Sequence, residues 1–285
     1  VLTKHSSKRP RILIGKDTRK SGDMLEAALT AGLCSMGAKV IPLGVVPTPA
    51  VAYLTRYYKA DAGVVISASH NPCEYNGIKF FNSDGYKLSD GIENEIESYI
   101  LGEKAIEELP THGKVGYVSA NHNAVEDYVA FAVSTIDCRL DGMKIAVDCA
   151  NGASYETAFK ALNKLGANVE AIHNTPDGVN INHMCGSTHM ESLQAYVTSI
   201  GADIGIAFDG DADRMLAVDE NGKLIDGDQI MAACAKFMRD NGTLKQNTLV
   251  ATVMSNLGLF MAGEKIGINI PRTKVGDRYV LEEML

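Results

Sequence analysis

At 285 residues and 30.5 kDa, with 46% hydrophobic and 22% charged residues, the chain can bury a sizeable core and has ordinary globular composition. Its formal net charge of -8 and the absence of any Lys/Arg block exclude nucleic acid as the expected partner and leave room for a small phosphorylated ligand. No apolar stretch approaches the roughly 20 residues of a membrane helix, so no membrane partner and a cytoplasmic location are expected, and the six cysteines, none in a C-x-x-C pair, read as reduced thiols.

Residues 1–10 read as the tail of something already begun. A strand over 11–15 leads through a polar turn into a helix over 24–36 that Gly37 stops, then a second strand over 39–43. Pro47 and Pro49 break the connection ahead of a short helix near 51–58. The run Val64-Val65-Ile66 has no alternation, as in a strand covered on both faces, and it ends in the small polar loop Ser67-Ala68-Ser69-His70-Asn71-Pro72.

This order recurs. A strand over 143–148 and a helix over 158–165 repeat the start, Gly166-Ala167-Asn168-Val169 echoes Gly37-Ala38-Lys39-Val40, and Ala202-Asp203-Ile204-Gly205 echoes Ala60-Asp61-Ala62-Gly63. Each polar loop is followed by a hairpin signal, Asp84-Gly85 or Asn221-Gly222, and an amphipathic helix, 90–100 or 228–238. A third copy opens with a strand over 248–252. Three related modules are expected, 1–141 including a connector helix over 123–136, 142–240, and 241–285, with Asn241-Gly242 as a hinge. The fold class is α/β, repeated domains each with a mixed sheet flanked by helices, and equivalent loops converging on a shared cleft. Ser69 lies six residues after Gly63 and Asp211 six after Gly205, so the two are expected across that cleft.

Asp209-Gly210-Asp211-Ala212-Asp213-Arg214 places three carboxylates at alternating positions directly after an apolar strand. Hard divalent cations take such oxygen ligands; the other reading is a solvated acidic turn. An EF-hand is excluded because Arg214 stands where its glycine belongs. With open coordination positions, Mg²⁺ holding a phosphate oxygen fits, with Arg214 facing that phosphate. Ser69 alone reads as a turn serine. It lacks the G-x-S-x-G elbow of a hydrolase, and adjacency in sequence rarely gives a residue such as His70 good geometry as its base; phosphoryl chemistry is the better match because a metal site occupies the equivalent position in the second module. The turn at Asn76-Gly77 can bring Lys79 back towards Ser69 to neutralise phosphate or exchange a proton with a sugar hydroxyl. Asp17 and Arg19, in the first loop of module one, either support that site or make ordinary turn and cap contacts. His183, Cys185 and His189 fit no common zinc pattern, and zinc is not assigned.

The loops 67–72 and 209–214 together resemble the phosphoserine and magnesium loops of the α-D-phosphohexomutase superfamily. Within it, Val147-Asp148-Cys149-Ala150-Asn151-Gly152, Asn180-Ile181-Asn182, Met254-Ser255-Asn256-Leu257-Gly258 and Lys274-Val275-Gly276-Asp277-Arg278-Tyr279-Val280 resemble the bacterial phosphoglucosamine mutase branch. The resemblance implies catalytic roles for Ser69, phosphorylated in the active state, and for Lys79, His70 and Arg214. It implies Mg²⁺ on the Ser69 phosphate, Asp209, Asp211 and Asp213, with Asn71, Asp17 and Arg19 supporting. Lys274, Asp277 and Arg278 would face a phosphorylated hexosamine substrate, and glucosamine 6-phosphate and glucosamine 1-phosphate would interconvert through a 1,6-bisphosphate. It also implies a homodimer through the first domain. The superfamily's N-terminal arginine segment, sugar loop and fourth domain would lie outside 1–285, so this stretch alone is expected to turn over substrate poorly. The alternatives are phosphomannomutase or phosphoglucomutase specificity, a serine phosphatase, and a non-catalytic sugar-phosphate-binding module.

Overall fold

The computed structural model describes residues 8–106 and 109–285, so residues 1–7 of the expected tail lie outside the described residues. In the first sheet β1 (Arg11–Lys16), β2 (Lys39–Val45) and β3 (Ala62–Ile66) run parallel, β4 (Ile78–Asn82) pairs antiparallel with β3, and β5 (Tyr117–Val118) flanks β2, giving the order β4-β3-β1-β2-β5. The helices are α1 (Ser21–Ser35), α2 (Thr48–Tyr57), α3 (Asp90–Ile100) and the connector α4 (Ala124–Ser134). Successive strand side chains point to opposite faces. Leu13 and Val65 accordingly pack with Val51 and Leu54 of α2, while Ile12, Ile14, Val64 and Ile66 pack with Leu25 and Leu29 of α1. Both faces being covered, all five residues of β3 are buried, which is why its sequence shows no alternation.

The second sheet repeats the plan. Strands β6 (Lys144–Asp148), β7 (Asn168–Ile172) and β8 (Ile204–Phe208) are parallel, β9 (Met215–Asp219) pairs antiparallel with β8, and β10 (Leu224–Ile225) closes a hairpin at Asn221-Gly222; the order is β10-β9-β8-β6-β7. Helix α5 (Ser154–Lys164) covers Ile145 and Val147, and α6 (Glu191–Ile200) covers Ala146 and Ala207 from the other side. The cores β4-β3-β1-β2 and β9-β8-β6-β7 correspond strand for strand in order and direction. The repeat read from the sequence is therefore a repeat of topology. Helix α7 (Gly227–Asp240), with a full capping box at Asp226 and Gln229, leads into β11 (Ala251–Thr252), α8 (Leu257–Ile266), β12 (Arg272–Thr273) and α9 (Asp277–Met284).

Local boundaries shift: the helices expected over 24–36 and 158–165 begin earlier, at Ser21 and Ser154. The helix expected at 51–58 begins at Thr48, because Pro49 falls in its first turn, where a fixed φ and a missing N–H cost nothing. The strand expected over 248–252 is reduced to β11. Its pairing nonetheless runs further, Leu249 N, Ala251 N and Val253 N donating to Asn269 O, Pro271 O and Thr273 O.

Candidate active site

The loops after β3 and β8 leave the carboxyl ends of equivalent parallel strands, the position at which open α/β sheets place their ligands. The first loop is built around a strained residue. Ser69 has φ +52, a left-handed conformation that few non-glycine residues adopt, and it is 8% exposed. Its amide donates to Ser67 Oγ at 2.9 Å, and its own hydroxyl is aimed out of domain one at Asp209 Oδ2, 2.7 Å away.

Arg19 fixes this loop from within its own domain. The side chain is fully buried, ion-paired with buried Asp17, and donates to Ser69 O at 3.1 Å and to Asn71 O. Burial pushes the Asp17 carboxyl above the ordinary carboxylate value, although the Arg19 charge and hydrogen bonds act against it. Asn71 therefore contributes its carbonyl to this network.

Across the domain boundary, Asp209, Asp211 and Asp213 bring carboxylate oxygens within 4.8 Å of one another. Their environments differ. Burial drives Asp209 up to about 6; the Ser69 hydroxyl opposes this, and the charges of Asp211 and Asp213 add to it. Burial would likewise raise Asp211, but Lys79 Nζ at 2.8 Å and Thr48 Oγ1 at 2.7 Å overcome it and hold Asp211 below the usual range. Burial and then the Asp211 charge raise Asp213, which stands at the solvent edge. Asp211 Oδ1 is buried and has no hydrogen-bond partner. A desolvated carboxylate oxygen without a donor, among two more carboxylates, is what a hard cation would satisfy. These residues fit a divalent metal with oxygen ligands.

Lys79, brought round by Asn76-Gly77 onto β4, lies 3.8 Å from Asp213 as well, and it borders a cleft of about 560 Å³ between the first and third domains. Asp213, Lys87, Asp277 and Arg278 also line that cleft. Asp277 pairs with Lys87 at 2.7 Å, and Arg278 with Asp90 and Glu282. Lys274 is not in the wall; its ammonium lies 5.6 Å from the Tyr279 ring centre. His70 makes no hydrogen bond to the Ser69 hydroxyl. Its Nδ1 lies 3.1 Å from Arg214 Nη1, and both residues are exposed at the rim.

Two residues of the site were not picked out as functional from the sequence. Thr48 meets Asp211 through its hydroxyl and also donates its backbone amide to Asp211 O at 2.9 Å; the only local signal is its place at the start of α2 after Pro47. Asn182 donates from Nδ2 to Ser69 O at 2.8 Å and to Asn71 O at 3.0 Å. It lies in the Asn180-Ile181-Asn182 segment, which stands out in the sequence without a role.

Residues 1–107, 125–222 and 226–285 match, in order, the α/β/α domains I, II and III of phosphoglucomutase/phosphomannomutase. Over all 285 residues the chain is 61% identical to the phosphoglucosamine mutase of Ruminiclostridium cellulolyticum and 62% identical to that of Acetivibrio thermocellus, and it spans 64% of the length of each. Among solved structures, a phosphoglucomutase/phosphomannomutase family protein from Burkholderia thailandensis superposes with a TM-score of 0.80 at 26% identity, over 96% of this chain and 60% of the other. The N-acetylphosphoglucosamine mutase of Aspergillus fumigatus, solved with GlcNAc-6P and magnesium, shares the fold at a TM-score of 0.54 and 19% identity, over 83% of this chain and 61% of that one. Three domain matches in sequence order, joined by a serine loop and an acidic loop that meet across the first two domains, establish that the chain belongs to the phosphoglucomutase/phosphomannomutase family of phosphohexomutases.

Proposed function

We propose that the site moves a phosphoryl group between Ser69 and a hexosamine phosphate, interconverting glucosamine 6-phosphate and glucosamine 1-phosphate. The observation that carries this reading is the 2.7 Å contact between the Ser69 hydroxyl and Asp209 at a three-carboxylate site. A serine held beside a cation site is arranged for phosphoryl transfer, whereas acyl transfer would need a base on its hydroxyl, and His70 is turned to Arg214. The amino-sugar assignment rests on identities of 61% and 62% to phosphoglucosamine mutases.

In this scheme Asp209, Asp211 and Asp213, with the Ser69 phosphate, hold Mg²⁺. When bound, the ion offsets the negative charge of that loop pair and polarises the transferring phosphoryl group. A sugar hydroxyl attacks phosphorus; the new P–O bond to the sugar forms as the P–Oγ bond of Ser69 breaks. The product is a 1,6-bisphosphate, and the reverse transfer of its other phosphate restores phosphoserine. Lys79 sits between the acidic cluster and the cleft, where it can take the sugar hydroxyl's proton in one direction and return it in the other. Arg214 at the rim offers a charged donor to phosphate, and Asp277 and Arg278 present polar groups to the sugar.

The test is intact mass after incubation with glucosamine 1,6-bisphosphate and Mg²⁺. Wild type is expected to gain one phosphoryl group, and Ser69→Ala none. A wild-type chain that stays unmodified, or a Ser69→Ala chain that gains the group, would sink the proposal.

A further inference from the structure

The two loop carbonyls of Ser69 and Asn71 are gripped twice. Arg19 Nη2 donates to both from domain one, and Asn182 Nδ2 donates to both from domain two, at 2.8 and 3.0 Å. The two donors serve different purposes. Arg19 belongs to the same domain as the loop and holds its shape. Asn182 is 113 residues away on the domain that carries the three aspartates, so its bonds hold the loop relative to that domain.

Asn182 is itself fixed. Its φ is +58, it is 8% exposed, and its amide donates to Ala150 O at 2.9 Å. Ala150 is in turn tied by its amide to Asp148 Oδ1 at 2.8 Å, and Ile181 beside it is 1% exposed. The metal loop closes on the same contact. A Cβ at Gly210 would lie 2.6 Å from Ser69 O and 2.7 Å from Asn182 Nδ2, so the backbone between Asp209 and Asp211 packs directly against this hydrogen bond.

We propose that Asn182 is a cross-domain positioning residue: by donating to the Ser69 and Asn71 carbonyls it holds Ser69 in its left-handed conformation and sets the distance from Oγ to the three aspartates. It touches neither the cleft nor the reacting atoms. The proposal rests on the phosphoryl-transfer reading for its kinetic consequence, but not for its structural one.

Asn182→Asp removes both N–H donors at constant size and sets a carboxylate against two carbonyls. The rate constant for Ser69 phosphorylation by glucosamine 1,6-bisphosphate should fall about a hundredfold, the cost of a misplacement of roughly 1 Å. The half-saturating bisphosphate concentration should stay at the wild-type value, because the sugar cleft is intact. Amide hydrogen exchange of residues 67–72 should accelerate, and the Mg²⁺ dissociation constant from calorimetry should rise. Asn180→Ala serves as the control, since it disturbs the same segment without reaching Ser69; it should leave the rate, the exchange and the Mg²⁺ affinity unchanged. Should Asn182→Asp fail to fold, Asn182→Ser provides the same readings with a shorter donor.

Wild-type phosphorylation, exchange and Mg²⁺ affinity in Asn182→Asp, or equal losses in Asn180→Ala, would overturn the assignment. If wild type itself accepts no phosphoryl group, the mutase reading falls while exchange and Mg²⁺ affinity still decide the role of Asn182.

Discussion

At Gly210 the absence of a side chain is a packing requirement rather than a conformational one. Three atoms, Ser69 O, Asn182 Nδ2 and Ile181 Cδ1, would lie within 2.9 Å of a Cβ there. The first two are hydrogen-bonded to each other and cannot separate without releasing the serine loop. Gly210→Ala is therefore expected to destabilise the chain by about 1–3 kcal/mol, the usual cost of overpacking, and to weaken the proposed Mg²⁺ binding in the same variant. Denaturant unfolding and calorimetry check the two effects, and a variant with wild-type values in both would contradict the close approach. The buried Asp211 Oδ1 is the complementary residue-scale feature. One oxygen of this carboxylate takes Thr48 and Lys79, and the other is left without a donor.

At the scale of elements, strand ends do most of the positioning. The loops after β3 and β8 supply the serine and the aspartates, and the N-terminus of α2 is pressed on the second loop through both the amide and the hydroxyl of Thr48. Helix N-termini carry partial positive charge, so α2 adds to Lys79 in favouring an ionised Asp211. The ends of β6 and β7 form a second fixed point, where buried Asp148 accepts from Ala150 and Gly186 amides and lies 2.9 Å from His173 Nδ1. The Asp148 hydrogen bond raises His173 above its ordinary value against the effect of burial. A histidine with a raised folded pKa stabilises most when charged, below the unfolded value of about 6.5. The contribution is lost as pH climbs through the folded value. The melting-temperature gap between wild type and His173→Gln should thus be widest near pH 5.5 and narrow towards pH 8; a gap that widens with pH would refute the pairing.

Across the whole molecule, the third domain meets the first through charges. Lys87 pairs with Asp277 and Asp90 with Arg278, closing the cleft that Lys79 and Asp213 border. These pairs are substantially exposed, so salt should screen them; the Debye length shrinks to about 3 Å at 1 M. Raising salt to that level, or Lys87→Ala at low salt, is expected to increase the radius of gyration in solution scattering. An unchanged value under both conditions would mean that apolar packing holds the domains together.

The serine and aspartate loops, the repeated βα order and the parallel strands β1, β2, β3, β6 and β8 were legible in the sequence because they depend on neighbours within a few residues: apolar runs, small polar loops, glycine stops. The same local logic placed α3 at 90–100 and the hairpin turn at Asn221-Gly222. The internal repeat already brought Ser69 and the aspartate loop to one cleft, where Ser69 meets Asp209; tertiary structure alone decided the other partners. Asn182 and Ser69 are separated by 113 residues and Thr48 and Asp211 by 163, and no local pattern encodes these pairs. It also turned His70 towards Arg214 rather than Ser69, and kept Lys274 out of the cleft that Asp277 and Arg278 line. Periodicity reports which face of an element is buried; the register between two domains is set by the hydrogen bonds and close backbone contacts that form when they pack.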